Sequence, residues 1–364
     1  MTRASGPMVG LDDGDAVGSE TLPATATVIR TVAVRTLERS RVAVRPPATG
    51  EATLRIEAVG LCGTDHHIWS GQFAAARLPL IQGHELVGSI IAIGPGVELP
   101  VGCRVVVDPT TSCGRCFACR RGAREVCERM QVLGVHRDGG LRELMTLEAP
   151  RLHPCDQLTV EQAVLVEPAS IALEAVRRAA PVNGDLAVVL GGGAIGVLAV
   201  AGLRELGAEV AVVEPDPRRR QLALVAGAAL TVGSGEQERA SLGSWSDDAG
   251  PRIVIEASGA SSAFGDALRI VASSGVVVAV GLADGTVEMP ALPIPYKGID
   301  VRGARNSRAG VGHAAEFIAR HRSLASALVT HRFPLERTQD ALALLDAPVD
   351  EIVGKIMVDA GAAA

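Results

Sequence analysis

Aromatic side chains are scarce in this 364-residue chain: Trp, Tyr and Phe together make up only 2% of it. Base-stacking platforms are hard to build without them, which argues against a nucleic-acid partner. A basic excess is also lacking. The formal net charge is -6, so the chain has no electrostatic draw toward a phosphate backbone or an anionic bilayer. No continuous apolar run nears the roughly 20 residues needed to span a membrane. The first 25 residues, rich in Gly, Asp, Ser and Thr, have no basic stretch leading into an apolar one. They read as a flexible tail without a secretion signal, with Met8 an alternative start, and the expected compartment is the cytoplasm. Internal repeats are absent as well.

Small and branched aliphatics are abundant, and 48% of the residues are hydrophobic. A core of Val, Ala, Leu and Ile suits buried parallel strands and close helix packing. The length exceeds what one compact core usually holds, so two domains are expected. Seven cysteines stand at 62, 103, 113, 116, 119, 127 and 155. In a reducing compartment, four of them within fifteen residues point to a metal rather than to disulfides.

From about residue 27 to 110 the texture is β-rich, with strands predicted at Val28–Val34, Thr53–Val59 and Val101–Val107. A polar loop studded with cysteine covers residues 111–130, and a helix is predicted over Glu161–Ala180. Residues 185–305 change rhythm. The short apolar runs Leu186–Leu190, Val210–Val213, Ile253–Ile255 and Val276–Val280 alternate with helical stretches at Val197–Leu206 and Arg218–Ala226. That is the βαβ alternation of a parallel sheet covered on both faces. Beyond residue 306 come helices near Ala314–Arg320 and Gln339–Leu345 and a last strand at Gly354–Val358, a segment expected to rejoin the first domain.

The run Leu186–Leu190 leads directly into Gly191-Gly192-Gly193-Ala194-Ile195-Gly196, which opens an apolar helix. This is the G-x-G-x-x-G pattern between strand and helix. Gly191 permits the tight turn, Gly193 lets the backbone approach a pyrophosphate, and Gly196 lets the helix sit close on the strand. The helix N-terminus supplies N–H groups for phosphates. A second strand ends in Glu214, a carboxylate able to accept from both hydroxyls of an adenosine ribose and to repel a 2′-phosphate. NAD is therefore expected over NADP, although Arg218, Arg219 and Arg220 leave a route to the extra phosphate.

Two cysteine and histidine groupings invite metal. Cys113, Cys116, Cys119 and Cys127 offer four thiolates on one loop, enough for a closed tetrahedral zinc with no position for substrate. Free buried thiols or an iron–sulfur cluster are the alternatives. The second grouping is dispersed: Cys62, Thr64, Asp65, His66 and His67 follow a strand, and Gly83-His84-Glu85 comes some twenty residues later. Thiolate, imidazole and carboxylate together form the donor set of a zinc that keeps one position open. In a regular strand His84 and Glu85 would face opposite ways, so both can serve only if the backbone bends, for instance at Gly83.

These motifs in this order resemble the medium-chain zinc-containing dehydrogenases, whose members include alcohol, sorbitol and threonine dehydrogenases. The likeness covers about residues 27–358. It implies an α/β chain in which a GroES-like β-rich catalytic domain (26–175) carries an inserted Rossmann domain (176–310). The tail 1–25 precedes them, and the segment 311–364 returns to the catalytic domain. By the same resemblance Cys62 and His84 are catalytic zinc ligands, and Cys113, Cys116, Cys119 and Cys127 hold a structural zinc. Thr64 and His67 match the proton-relay hydroxyl and imidazole, and Asp65 matches a carboxylate that orients a zinc-bound imidazole. Glu214 and Arg219 match contacts to the adenosine ribose.

Where liver-type alcohol dehydrogenases place a third cysteine, this chain has Glu167, in Leu165-Val166-Glu167-Pro168. That resembles the sorbitol and threonine dehydrogenase branch, in which Glu85 can ligate zinc while the second glutamate ligates it or holds its water. A helix N-terminal carboxylate is the other reading of Glu167. Gly303-Ala304-Arg305-Asn306 resembles that branch's segment beside the nicotinamide.

The implied activity is hydride transfer between NAD and a secondary alcohol, polyol, sugar or hydroxy amino acid. Zinc would act as Lewis acid, and the substrate proton would leave by a relay through Thr64 and His67. A primary alcohol dehydrogenase is the nearer alternative, and a non-catalytic dinucleotide-binding regulator the farther one; two zincs per chain would separate the enzyme from the regulator. The expected partner is a small alcohol or carbonyl compound, with no nucleic acid or membrane, in a homodimer or homotetramer. Ile68–Arg77 and the region near Tyr296 are expected to line the cleft, and Trp69 either lines it or packs.

Overall fold

The computed structural model describes residues 21–73, 75–281, 286–346 and 352–361, so most of the expected N-terminal tail lies outside the described residues. Strands from both ends of the chain meet in one seven-stranded sheet. Its order is Val329–Pro334, Lys355–Asp359, Glu51–Leu61, Glu85–Ile93, Arg104–Val107 and Leu152–Pro154, with Leu144–Glu148 also pairing with Glu51–Leu61. Pairing is antiparallel except between the two C-terminal strands. Leu54, Ile56, Val59 and Leu61 from the long central strand join Ile90, Val105 and Val358 in a common apolar core. A hairpin, Thr25–Ala33 with Thr36–Ala43, turns at Arg35, whose φ is 58°.

The second sheet is parallel throughout. Its order is Leu230–Val232, Glu209–Val213, Leu186–Leu190, Ile253–Glu256, Val276–Ala279 and Asp300–Gly303. Its central strand does not alternate between buried and exposed positions. Ala187, Val188, Val189 and Leu190 are all buried, as expected of a strand covered on both faces. Winding reverses between Leu186–Leu190 and Ile253–Glu256. That reversal opens a crevice at the carboxyl ends of the strands, the position where doubly wound sheets bind ligands.

The helix predicted over Glu161–Ala180 forms as two, Val160–Ala163 and Val166–Ala179. Pro168 has no N–H to donate, so it is tolerated only within the first turn, and the chain restarts its helix just ahead of it. Glu167 is thereby held in the first turn of the longer helix. That helix shares a core with Ala194–Glu205 and with Gly310–Arg320. Chain residues 310–328 thus pack beside the parallel sheet, and only the strands after them rejoin the first sheet. Among the described residues no helix is long and apolar enough to cross a membrane.

Candidate active site

Cys62 closes the strand Glu51–Leu61 and caps the short helix Gly63–Trp69. Its Sγ accepts from the Thr64 N–H at 3.2 Å, and its own N–H donates to Asp65 Oδ2 at 3.1 Å. Asp65 is fully buried, and its Oδ1 accepts from the Gly83 N–H at 3.1 Å. One carboxylate therefore fastens the helix to the segment that carries His84.

Gly83 takes a φ of +92°, a value that side-chain-bearing residues rarely adopt, and the next strand begins only at Glu85. The bend lets His84 and Glu85 face one space instead of opposite faces. Cys62 Sγ lies 3.1 Å from His84 Nε2, and the donor atoms of Cys62, His84 and Glu85 all fall within 4.8 Å of one another. Thiolate, imidazole and carboxylate at this spacing fit a divalent ion such as zinc. Burial opposes charge on His84, but Cys62 and Asp65 outweigh it and hold its pKa well above the ordinary imidazole range. Asp65 Oδ1 stands 3.7 Å from His84 Nδ1, and that nitrogen is buried with no hydrogen-bond partner.

Lys355 escaped the reading of the sequence. It is 3% exposed, and its Nζ donates to both oxygens of Glu85, at 2.5 and 2.7 Å, and to the Leu61 carbonyl at 3.3 Å. The available signal was a lysine at the head of the apolar run Lys355–Val358, since lysine is almost never fully buried unless paired. Gly60 makes room for this carboxylate: a Cβ there would stand 2.0 Å from Glu85 Oε2. Glu167 lines the same cavity but falls outside the trio of donors. Desolvation by the surrounding protein pushes its pKa up to about 7, against the pull of His84.

The cavity measures about 360 Å³ and lies at the carboxyl ends of the parallel strands. Thr64 and His67 from the capped helix open onto it, as do Phe73, Ile171 and Ile195. Val132, Val135, His136, Arg305 and Asn306 form another part of its wall. Trp69 packs, being 2% exposed with the Arg35 guanidinium 4.7 Å from its ring. Tyr296, expected near the cleft, is instead 87% exposed on the helix Pro293–Lys297 and takes no part in the wall. Sequence reasoning missed His136, which lies in a loop with no periodicity to mark its direction.

At the glycine-rich turn, Gly191 has a φ of +106°, and a Cβ on Gly196 would stand 2.0 Å from the Gly191 carbonyl oxygen. Gly193 caps the helix, which starts at Ala194 and continues through Ile195. Glu214 is buried and accepts from the N–H groups of Gly192 at 2.7 Å and Asp216 at 2.9 Å. Arg218 is held by Asp216 at 2.9 Å, and Arg220 donates to the Glu214 carbonyl at 2.8 Å. A second cavity of about 220 Å³ lies against Gly191, Glu214 and Pro215.

The thiols of Cys113, Cys116, Cys119 and Cys127 also converge within 4.8 Å. Backbone N–H groups of Arg115 and Cys116 bring the Cys113 pKa down to about 6, whereas burial pushes Cys119 up to about 11. Holding all four as thiolates at neutral pH, Cys119 included, would take a bound cation, which the geometry fits. The remaining pair is different in kind. Burial raises Cys103 to about 11 and Cys155 to about 12, leaving both as inert core thiols.

Comparison with known proteins gives the family. Residues 48–157 match the family described as alcohol dehydrogenase GroES-like domain, and residues 194–322 match the one described as zinc-binding dehydrogenase. L-galactonate-5-dehydrogenase of Escherichia coli K12 is 33% identical over 79% of this chain and 86% of its own length. A zinc-binding dehydrogenase of Sinorhizobium meliloti, solved bound to NADP, is 27% identical with a TM-score of 0.85, covering 93% of this chain and all of its own. An alcohol dehydrogenase of Escherichia coli CFT073, solved with NADH, is 26% identical with a TM-score of 0.84 at the same coverage.

Proposed function

The chain belongs to the zinc-dependent medium-chain alcohol dehydrogenases, in their sorbitol- and threonine-dehydrogenase-like branch, and from that premise we propose that it oxidises a secondary hydroxyl of a polyol, sugar, sugar acid or hydroxy amino acid with NAD. The observation that carries this reading is the convergence of Cys62, His84 and Glu85 on the cavity that also meets the glycine-turn face at Ile195 and Ser258. We assign Cys62, His84 and Glu85 as ligands of a catalytic zinc, with Glu167 placed to hold a water or exchange with Glu85. Bound there, zinc supplies the Lewis acidity that lowers a hydroxyl's pKa toward neutrality. Thr64 and His67 pass the released proton from the cavity toward solvent. Lys355 neutralises Glu85 and so keeps the donor set from accumulating negative charge. Cys113, Cys116, Cys119 and Cys127 hold the second, structural zinc.

NAD is favoured over NADP by the buried Glu214 carboxylate and by the engagement of Arg218 and Arg220 with local acceptors. Arg219 remains for the ribose. Seven free cysteines support a reducing compartment, the cytoplasm. A second copy of the chain is the proposed partner. The strand Asp300–Gly303 ends its sheet with Val301 45% exposed, beside Leu292 and Tyr296 at 73% and 87%. Antiparallel self-pairing centred on Val301 would set Asp300 against the partner's Arg302, a complementary match.

Purified protein is expected to hold two zincs per chain. Cys62→Ala should lose one of them and turnover by roughly a thousandfold, the scale of several kcal/mol of Lewis-acid stabilisation, while still binding NAD by calorimetry. Full turnover in metal-free Cys62→Ala would defeat the assignment.

A further inference from the structure

Resting on the dehydrogenase reading above, we propose that the substrate is a hydroxy acid, and that Arg305 and His136 form the subsite for its carboxylate. The charges on the cavity wall are unevenly placed. Its only acidic side chains, among the described residues, are Glu85 and Glu167, and Glu85 is neutralised by Lys355. Arg305 lies on another part of the wall, exposed, and no carboxylate bonds it among the described residues. Its neighbours Arg302 and Arg177 show the contrast, being paired with Asp300 at 2.6 Å and with Glu174 at 2.5 Å. An unpaired guanidinium at the open side of the cavity, where His136 is exposed as well, presents a planar fork of donors, the shape that a carboxylate meets with two parallel hydrogen bonds.

The surroundings anchor the backbone next to Arg305 and add a second donor. Asn306 sits at a φ of 50° with its Nδ2 on the Glu125 carbonyl at 2.7 Å, which ties the segment carrying Arg305 to the cysteine loop. His136 Nδ1 accepts from the Val132 N–H at 3.1 Å, so its hydrogen resides on Nε2 and is free to be donated. Desolvation, reinforced by the charge of Arg305, keeps the His136 pKa below the ordinary range. His136 is thus a neutral donor beside the Arg305 cation. A neutral polyol would leave Arg305 without a counter-charge. An amino acid would bring an ammonium into a wall whose acidic side chains both stand at the proposed metal centre.

The test uses the zinc-loaded enzyme with NAD and matched pairs that differ only in carboxylate against CH₂OH: gluconate with glucitol, galactonate with galactitol, mannonate with mannitol, and L-threonine alongside. At least one acid is expected to exceed its alditol tenfold or more in kcat/KM. Arg305→Leu should shrink that acid-to-alditol ratio about ten- to a hundredfold, the scale of a lost charge-assisted hydrogen bond, and Arg305→Lys less. Calorimetric titration of the same compounds into NAD-loaded enzyme reads the subsite without turnover, and should show acid binding that Arg305→Leu weakens. Equal or better use of alditols or threonine overturns the proposal while leaving the dehydrogenase reading intact. So does an Arg305→Leu enzyme whose NAD affinity falls while the acid-to-alditol ratio stays put. Absence of zinc-dependent NAD reduction with every compound counts against the dehydrogenase reading itself, and calorimetry then decides the subsite alone.

Discussion

Among single residues, the buried pair Glu85–Lys355 has the largest energetic consequence. Each partner is 2–3% exposed, so removing one leaves the other as an uncompensated charge inside the protein. Lys355→Met is expected to cost about 3–5 kcal/mol of stability, read as a shift in urea midpoint. Combining it with Glu85→Gln should recover much of that loss, since both charges are then gone; a single variant as stable as the parent would show the pair to be solvated. Half of this pair was legible beforehand. Glu85 follows a histidine in a recognisable pattern, whereas the role of Lys355 depends on a contact with a side chain 270 residues distant that no local period encodes. Gly60 was silent for a similar reason, because what it accommodates is a side chain of the neighbouring strand.

The elements divide along similar lines. The parallel strands and the glycine turn stood out, because continuous apolar runs and a phosphate-binding pattern are properties of short windows. Less legible was the break before Val166, where helical periodicity continues on both sides of the Pro168 restart. The cysteine loop is the element most dependent on something outside itself. It contributes a small apolar cluster of Met130 and its own thiols, and its C-terminal side delivers Val132, Val135 and His136 to the cavity. Cys119→Ser is therefore expected to release about one zinc per chain and to open the loop to trypsin at Arg120, Arg121, Arg124 and Arg129. NAD affinity should be retained and substrate KM raised. A variant that keeps both metals and resists cleavage would show that the loop folds unaided.

For the whole molecule, the change from one sheet to the parallel one was readable from texture along the chain, but the exposed sheet edge was not, since edge and centre strands share one vocabulary of residues. The proposed self-pairing of Asp300–Gly303 makes a distinctive prediction. Arg302→Asp would bring like charges together across the two-fold axis and weaken dimers about tenfold or more, as read by sedimentation. The swap Asp300→Arg with Arg302→Asp should restore them, and assembly indifferent to both would place the interface elsewhere. The meeting of strands Glu51–Leu61 and Lys355–Asp359 also has a consequence for synthesis. Everything that touches the glycine turn has left the ribosome long before residue 355 does, so a nascent chain can fold its parallel sheet while Glu85 still waits for its counter-charge. A chain that stops short of Lys355 would keep every strand of its parallel sheet, yet lose the strand between Val329–Pro334 and Glu51–Leu61 together with the counter-charge of Glu85, and so never complete its reaction centre.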